Sequence, residues 1–378
     1  MNDVFKLLRE LIALPSVNPA FLPAGDPRGG EQRVADFLAA TTARAGLSVE
    51  FHPVFPGRAN LLARLTPVGP VKWRVLLAPH LDTVGTATMP DSLFEPQEKR
   101  GRLHGRGACD TKGSVAAMLT ALIRLARSGR RPAATEIIFT GLIDEENGQS
   151  GSRALAGSGL KADLAIVGEP TRLQVVTAHK GDLWLRLETR GKSAHGARPE
   201  LGRNAVHAMA QVVDLLETTY ARQLRRRRHR LLGNATVNVG SISGGTQPNI
   251  VPANCTISID RRTLPGETEA GVRRELQALL RKHKLAATIA DTKGGACEPL
   301  ETNFQLPLVK QFLRSVGQAQ PVGVDFFCDA SVLSGGGIPS VVFGPGDIAQ
   351  AHTADEWISL AALERGTGML TRFLQSLP

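Results

Sequence analysis

RVLLAPHLDTV, residues 74–84, places the apolar run Val75-Leu76-Leu77-Ala78 between a polar flank and a proline, and then delivers His80 and Asp82. Four apolar residues so bounded fit a strand covered on both faces. Open α/β sheets built from such strands bind ligands at the strands' carboxyl ends. Alone, a histidine at a strand end is more often a hydrogen-bonded structural residue than a ligand. His-x-Asp nevertheless offers a metal ligand together with a carboxylate to hold its second ring nitrogen, which fixes tautomer and ring orientation.

Working outward, helical spacing in 31–45, 112–127 and 362–376 alternates with the apolar stretches NLLARL, WRVLLAP, TEIIFTGLI and DLAIVGEP. Strands alternating with helices predict an α/β sheet sandwiched by helices. After Thr171 the texture changes. LWLRLETRG, ATVNVGSISGG, CTISIDRRT and AATIADTK have strand character, and NAVHAMAQVVDLLE and ETEAGVRRELQALLRKH have helical spacing. Their order, β-α-β-β-α-β, is the split βαβ plan of a small independent domain, here ferredoxin-like. The first texture returns near residue 293 with FQLPLVKQFLRSVG, PSVVFGPG and a closing helix. The sequence therefore predicts a catalytic domain with a mixed sheet, residues 1–177 and 293–378, interrupted by an inserted domain, residues 178–292.

At 378 residues the chain exceeds what one core usually organises, and 42% hydrophobic residues with 39 glycines describe an ordinary globular protein. The N-terminal MNDVFKLLRELIALPSVNP is an amphipathic helix rather than a signal peptide. No stretch has the apolar length of a membrane span. Cys109, Cys255, Cys297 and Cys328 lie far apart with no CxxC pair, which fits reduced thiols in a cytoplasmic enzyme. Much of the net charge of +10 sits in RQLRRRRHR, residues 222–230. A nucleic-acid grip is one meaning of such a run. Without interleaved aromatic residues to stack bases, a solvated helix end and loop is the better one.

Further acids fall where the first histidine fell. Asp110, in GRGACDTKGS, precedes a helix after a glycine-bearing loop, where an isolated carboxylate would be a cap. Glu145 and Glu146, in LIDEENGQSG, follow the strand TEIIFTGLI, and Glu169 ends AIVGE before Pro170. His352 lies in the loop after PSVVFGP. Two histidines and three carboxylates without cysteine suit borderline-to-hard divalent ions, zinc first, with cobalt and manganese as alternatives. A carboxylate shared between two ions about 3.5–4 Å apart is the usual arrangement of two-metal hydrolases.

LLAPHLDTV, GRGACDTKGS, DEENGQSGS, GEPT, KSAHGARPELGRNAV, QPNIVPANC, DRRTLPGE and FGPGDIAQAHTADEW, in that order, resemble the metallopeptidase family of aminoacylase, acetylornithine deacetylase, succinyl-diaminopimelate desuccinylase and glutamate carboxypeptidase. The resemblance extends from about residue 5 to residue 375. It implies that His80 and Glu169 hold one metal ion, Glu146 and His352 the other, and that Asp110 bridges them. It further implies that Asp82 orients His80 and that Glu145 is the general base. His195, in SAHGARP, would steady the oxyanion from the inserted lid and dimerisation domain of a neighbouring subunit, and Asn249 and Arg262 would contact substrate.

The implied reaction is hydrolysis of the amide of an N-acyl amino acid, in the style of acetylornithine deacetylase, by a homodimer. A zinc carboxypeptidase acting on short peptides and a desuccinylase-type deacylase are the alternatives. Relatives that cleave free-amino di- and tripeptides tend to carry Asp at the position of Glu169, and the Thr-Ser-Asp-Gly run of desuccinylases is absent from FFCDASVLSGGGIPS. Glu169 leans toward acyl-amino-acid or carboxypeptidase substrates and the second departure toward the acetylornithine deacetylase style, whereas Cys328-Asp329 matches no signature. A catalytically dead scaffold is disfavoured by the retained Glu145.

Overall fold

The computed structural model describes residues 3–85, 90–291 and 296–378. The chain forms two compact units, Met1–Thr177 with Thr302–Val322 and Cys328–Pro378, and Ala178–Glu301 with Gly323–Phe327. The boundary expected at 292/293 lies outside the described residues. Residues 296–301 stay with the second unit, because Asp182 and Cys297 exchange backbone hydrogen bonds of 2.8 Å and Leu300 pairs with His179.

In the first unit a mixed sheet runs in the order Ser48–Phe55, Arg58–Leu65, Thr135–Gly141, Trp73–Pro79, Leu164–Gly168, Ser340–Val342. The last four strands are mutually parallel, and the first two are antiparallel additions at one side. Along Trp73–Pro79, Val75 and Leu77 join the main core, while Leu76 and Ala78 point the other way and are equally buried. That two-sided burial is why the strand is a continuous apolar run rather than an alternating one.

The main core is closed by helices Asp3–Ile12, Gln32–Arg44, Lys112–Arg127, Pro307–Val316 and Leu360–Gln375. Phe312 anchors it, with ring centroids 5.1 Å from Phe343 and 4.8 Å from Phe373. Lys112 is buried, and its Nζ donates to Leu11 O at 2.9 Å and Leu14 O at 2.7 Å. It thereby adds a donor to carbonyls just at and beyond the end of the first helix, where Leu11 O also accepts from Leu14 N at 3.2 Å. Ser48–Phe55 was not apparent in the sequence: it is an outer strand with mostly exposed side chains, so burial imposes little apolar pattern on it.

The second unit is a four-stranded antiparallel sheet in the order Thr236–Gly244, Asn254–Thr263, Gly181–Arg190, Ala287–Asp291. Its core joins Leu183, Leu185, Leu187, Ile257 and Ile259 from the sheet to Met209, Val212, Val272 and Leu276 from two helices. This is the expected β-α-β-β-α-β plan. The basic run begins at a helix end, Ala221–Leu224, and most of it is exposed, although Arg227 is engaged by Glu267 and Glu275. Among the described residues no helix is long and apolar enough to cross a membrane.

Candidate active site

Four adjacent parallel strands deliver the candidate ligands from one end of the sheet. His80 follows Trp73–Pro79, Glu145 and Glu146 follow Thr135–Gly141, Glu169 follows Leu164–Gly168, and His352 lies in the loop beyond Ser340–Val342. Asp110 stands two residues before the helix Lys112–Arg127, and its peptide bond to Thr111 is cis. Gly344 permits the close approach beside Glu169, since a Cβ there would lie 2.5 Å from Glu169 O.

These residues form two triads, His80–Asp110–Glu169 and Asp110–Glu146–His352, with the ligand atoms of each within 4.8 Å of one another. Asp110 serves both with different oxygens: Oδ1 lies 3.2 Å from His80 Nε2, and Oδ2 lies 3.3 Å from His352 Nε2. Glu169 Oε1 is 3.8 Å from His80 Nε2, and Glu146 Oε2 is 3.2 Å from His352 Nε2. The donor set of imidazole nitrogens and carboxylate oxygens fits divalent zinc, cobalt or manganese. One further atom agrees with that fit. Glu146 Oε1 is buried without a hydrogen-bond partner among the described residues, a costly state for a carboxylate oxygen that a cation between the triads would relieve.

The electrostatics point the same way. Burial pushes Glu145 and Glu169 well above the usual carboxylate range, and it pushes Glu146 up to about 7 with the help of Asp110. Burial would depress His80, yet the carboxylates of Asp110 and Asp82 hold it well above its ordinary value. Asp110 and Glu146 raise His352 to about 10. The cluster calls for positive charge between its carboxylates.

The supporting residues differ in part from expectation. Asp82 was expected to orient His80 through its carboxylate, but the shorter contact of His80 Nδ1, 3.0 Å, is to the main-chain oxygen of Asp82, with Oδ1 at 3.4 Å. A carbonyl can only accept, so Nδ1 carries the proton and Nε2 is left for the triad. The Asp82 carboxylate also accepts from Asn18 Nδ2 at 2.8 Å and from the backbone N–H groups of Glu145 and Glu146, each at 3.1 Å. It therefore fixes the turn that carries both glutamates.

Asn18, missed from the sequence, also donates to Asp144 Oδ1 at 3.0 Å. Asp144 adopts a left-handed backbone, φ 65°, and its N–H donates to Glu31, which is bound in turn by Arg58. The Asn-Pro pair at 18–19, which starts a short helical turn capped by Asn18, was the available signal. Glu356 and Arg106, both buried and paired at 2.9 Å, were missed as well.

His195, Asn249 and Arg262 belong to the second unit. His195 and Asn249 are brought into one loop pair, where His195 bridges Ile250 and Gly196 N donates to Asn249 O at 2.7 Å. Of the two adjacent arginines, Arg261 is fully buried against Tyr220 and Glu267. Arg262 is partly exposed and forms a two-point pair with Asp260, both contacts 2.9 Å.

The model of the peptidase family M20/M25/M40 matches residues 76–376. An acetylornithine deacetylase of Myxococcus xanthus is 31% identical over 98% of both chains. The chain belongs to the M20 family. It is a hydrolytic enzyme of the metallopeptidase type, as the resemblance implied. Two solved M20 structures share the fold of a catalytic domain carrying a second, inserted domain. A metallo-carboxypeptidase from Sulfolobus solfataricus aligns with TM-score 0.78 at 20% identity, covering 99% of each chain. A dinuclear metal-binding peptidase from Bacillus subtilis aligns with TM-score 0.72 at 11% identity, covering 98% of this chain and 96% of that one.

Proposed function

We propose that this M20 member is a two-metal deacylase that releases the acyl group from an N-acyl amino acid. The observation that carries the reading is the pair of triads sharing Asp110, with Glu145 next to Glu146 in sequence and itself outside both triads. The acyl-amino-acid substrate is favoured by near-full-length similarity to acetylornithine deacetylases and by Glu at position 169.

Two bound divalent ions, zinc in the first place, would polarise the acyl carbonyl and acidify a water. His80 and Glu169 would hold one ion and Glu146 and His352 the other, with Asp110 between. Glu145 acts as general base, taking a proton at its carboxylate and passing it to the departing amine. Its neighbours include His80, Glu169 and Glu146, and Asp82 pins its main chain. Arg262, whose Nε and Nη2 are held by Asp260, receives the substrate α-carboxylate through a charge-assisted hydrogen bond from its remaining nitrogen. Asn249 and His195 supply the remaining substrate and oxyanion contacts.

The second unit serves as lid and dimerisation domain. Thr236–Gly244 is the outer strand of its sheet, with Ile242 56% exposed, and supports a two-fold homodimer. The free cysteines agree with a cytoplasmic setting. Zinc- or cobalt-loaded protein assayed for amine release should hydrolyse N-acetyl amino acids and spare dipeptides. Turnover confined to peptides would replace the deacylase with a carboxypeptidase, and turnover confined to N-succinyl substrates would replace it with a desuccinylase-type enzyme.

A further inference from the structure

Four donors converge on one buried carboxylate beside the second triad. Glu356 Oε2 accepts from Arg106 Nη1 at 2.9 Å and Gly107 N at 2.8 Å, and Oε1 accepts from Cys109 N and Asp110 N, each at 2.9 Å. Three of these donors are consecutive backbone amides but one, spanning the loop that ends at Asp110. Both Glu356 and Arg106 are 1% exposed.

The same residue is tied to the other ligand of the triad. Glu356 follows His352 by four positions, Gly105 N donates to Glu356 O at 3.1 Å, and Arg106 Nη2 donates to Thr353 O at 3.2 Å. Beyond it, Trp357 and Ile358 pair in strand register with His104 and Leu103. Residues 103–110 and 352–358 are thus laced together, and the carboxylate of Glu356 lies at the centre of the lacing. His352 itself has a left-handed backbone, φ 60°, a conformation uncommon outside glycine, although histidine with asparagine and aspartate adopts it more readily than other residues.

We infer that Glu356 is a positioning residue: it fixes the separation of Asp110 and His352 and so holds the shape of the metal subsite they form with Glu146. This rests on the two-metal reading. A carboxylate suits the task because both its oxygens accept. Glutamine has the same shape, but its amide NH2 would face two donors whichever way it turns. The loop would have to move, and Asp110 would move with it.

The test is titration of metal-free protein with cobalt(II), followed by calorimetry and by visible absorption. Wild type should take up two ions. Glu356→Gln should bind one of them about 10–100-fold more weakly with an altered absorption band, the usual scale for losing a partner that orients a ligand. Arg106→Met with Glu356→Gln removes the buried cation left behind and should recover thermal stability without recovering that affinity, since the backbone amides still lack their acceptor. Glu356→Asp, which keeps the charge but shortens the arm, should also weaken the site and serves if Glu356→Gln does not fold.

If folded Glu356→Gln, or Glu356→Asp in its place, binds both ions with affinity and spectrum unchanged, Glu356 has no positioning role and the two-metal reading stands. If affinity in the double variant returns together with stability, the residue is merely structural. If wild type takes up fewer than two ions, the two-metal reading itself fails, and this inference with it.

Discussion

Asp82→Asn changes one atom at the point where three donors meet, and its consequences can be worked through. Asp82 Oδ1 accepts from Glu145 N, and Oδ2 accepts from Asn18 Nδ2 and Glu146 N. Asparagine has one accepting oxygen, so its best orientation keeps the two bonds on the Oδ2 side and turns an NH2 toward Glu145 N. Asn18 cannot relieve the conflict by flipping, because its Oδ1 already accepts from Ala20 N at 3.1 Å. One bond to a charged acceptor, about 1.5–3 kcal/mol, is lost, and a buried N–H left unsatisfied costs about 1–3 kcal/mol more. The sum, about 2.5–6 kcal/mol, should appear in urea denaturation followed by circular dichroism. Because the unpaired amide is that of Glu145, kcat should fall at least about tenfold, the lower end for loss of a supporting partner in a metal site. A stability loss under about 1 kcal/mol together with unchanged kcat would refute the assignment of Asp82 as the anchor of this turn.

Three further outcomes follow from the same structure. His352→Ala should reduce the metal content from two ions to one, read by elemental analysis after dialysis; an unchanged count would remove His352 from the ligands. Arg262→Ala should raise KM about 10–100-fold for substrates bearing a free α-carboxylate and leave the corresponding amides nearly unaffected, the scale of one charge-assisted bond; equal losses for both would take Arg262 out of the substrate site. Burial depresses His179 from 6.5 to about 4, so the unfolded chain takes up a proton below pH 6.5 that the folded chain refuses until about pH 4. The stability this confers is complete above pH 6.5 and falls by about 3 kcal/mol as the pH drops to 4. His179→Gln should flatten that part of the pH–stability curve, and an unaltered acid limb would contradict it.

The fold was legible where burial imposes a period. Val75 to Ala78, Ile137 to Phe139 and Leu164 to Val167 are apolar because helices or neighbouring strands cover them, and the helices around Leu119 and Leu370 keep their spacing for the same reason. Where one side is water the pattern fails, as in Ser48–Phe55. The short helices Ser150–Gly157 and Asp329–Gly335 also escaped notice, since two turns hold too few residues to establish a period. The candidate site was legible through position: ligands at successive strand ends mark the end of a parallel sheet where α/β proteins bind. Asn18 was not legible, because a turn asparagine before proline carries no sign of the carboxylate that folding sets beside it.

The hardest distinction was among the acids themselves. Asp82, Asp144 and Glu356 each stand within four residues of a candidate ligand, His80, Glu146 and His352 respectively, and residue type alone does not separate them from Asp110, Glu146 and Glu169. The structure separates them by what their oxygens accept. Asp82 takes the amides of residues 145 and 146, Glu356 takes those of residues 107, 109 and 110, and Asp144 takes Ser150 Oγ at 2.6 Å together with Asn18. The candidate ligand carboxylates face the Nε2 atoms of the two histidines, and Glu146 Oε1 has no hydrogen-bond partner among the described residues. A carboxylate that holds backbone has used its lone pairs and has little left for a cation. One whose backbone is held by another residue keeps its oxygens for binding. Each positioning acid also acts across the sequence, from 82 to 145 and from 356 to 110, so that ligands arriving on separate strands are fixed relative to one another rather than each to its own strand. On the proposed two-metal reading, this cross-bracing explains why so many acids surround three candidate carboxylate ligands, and why substituting a positioning acid should disturb a metal subsite it does not itself form.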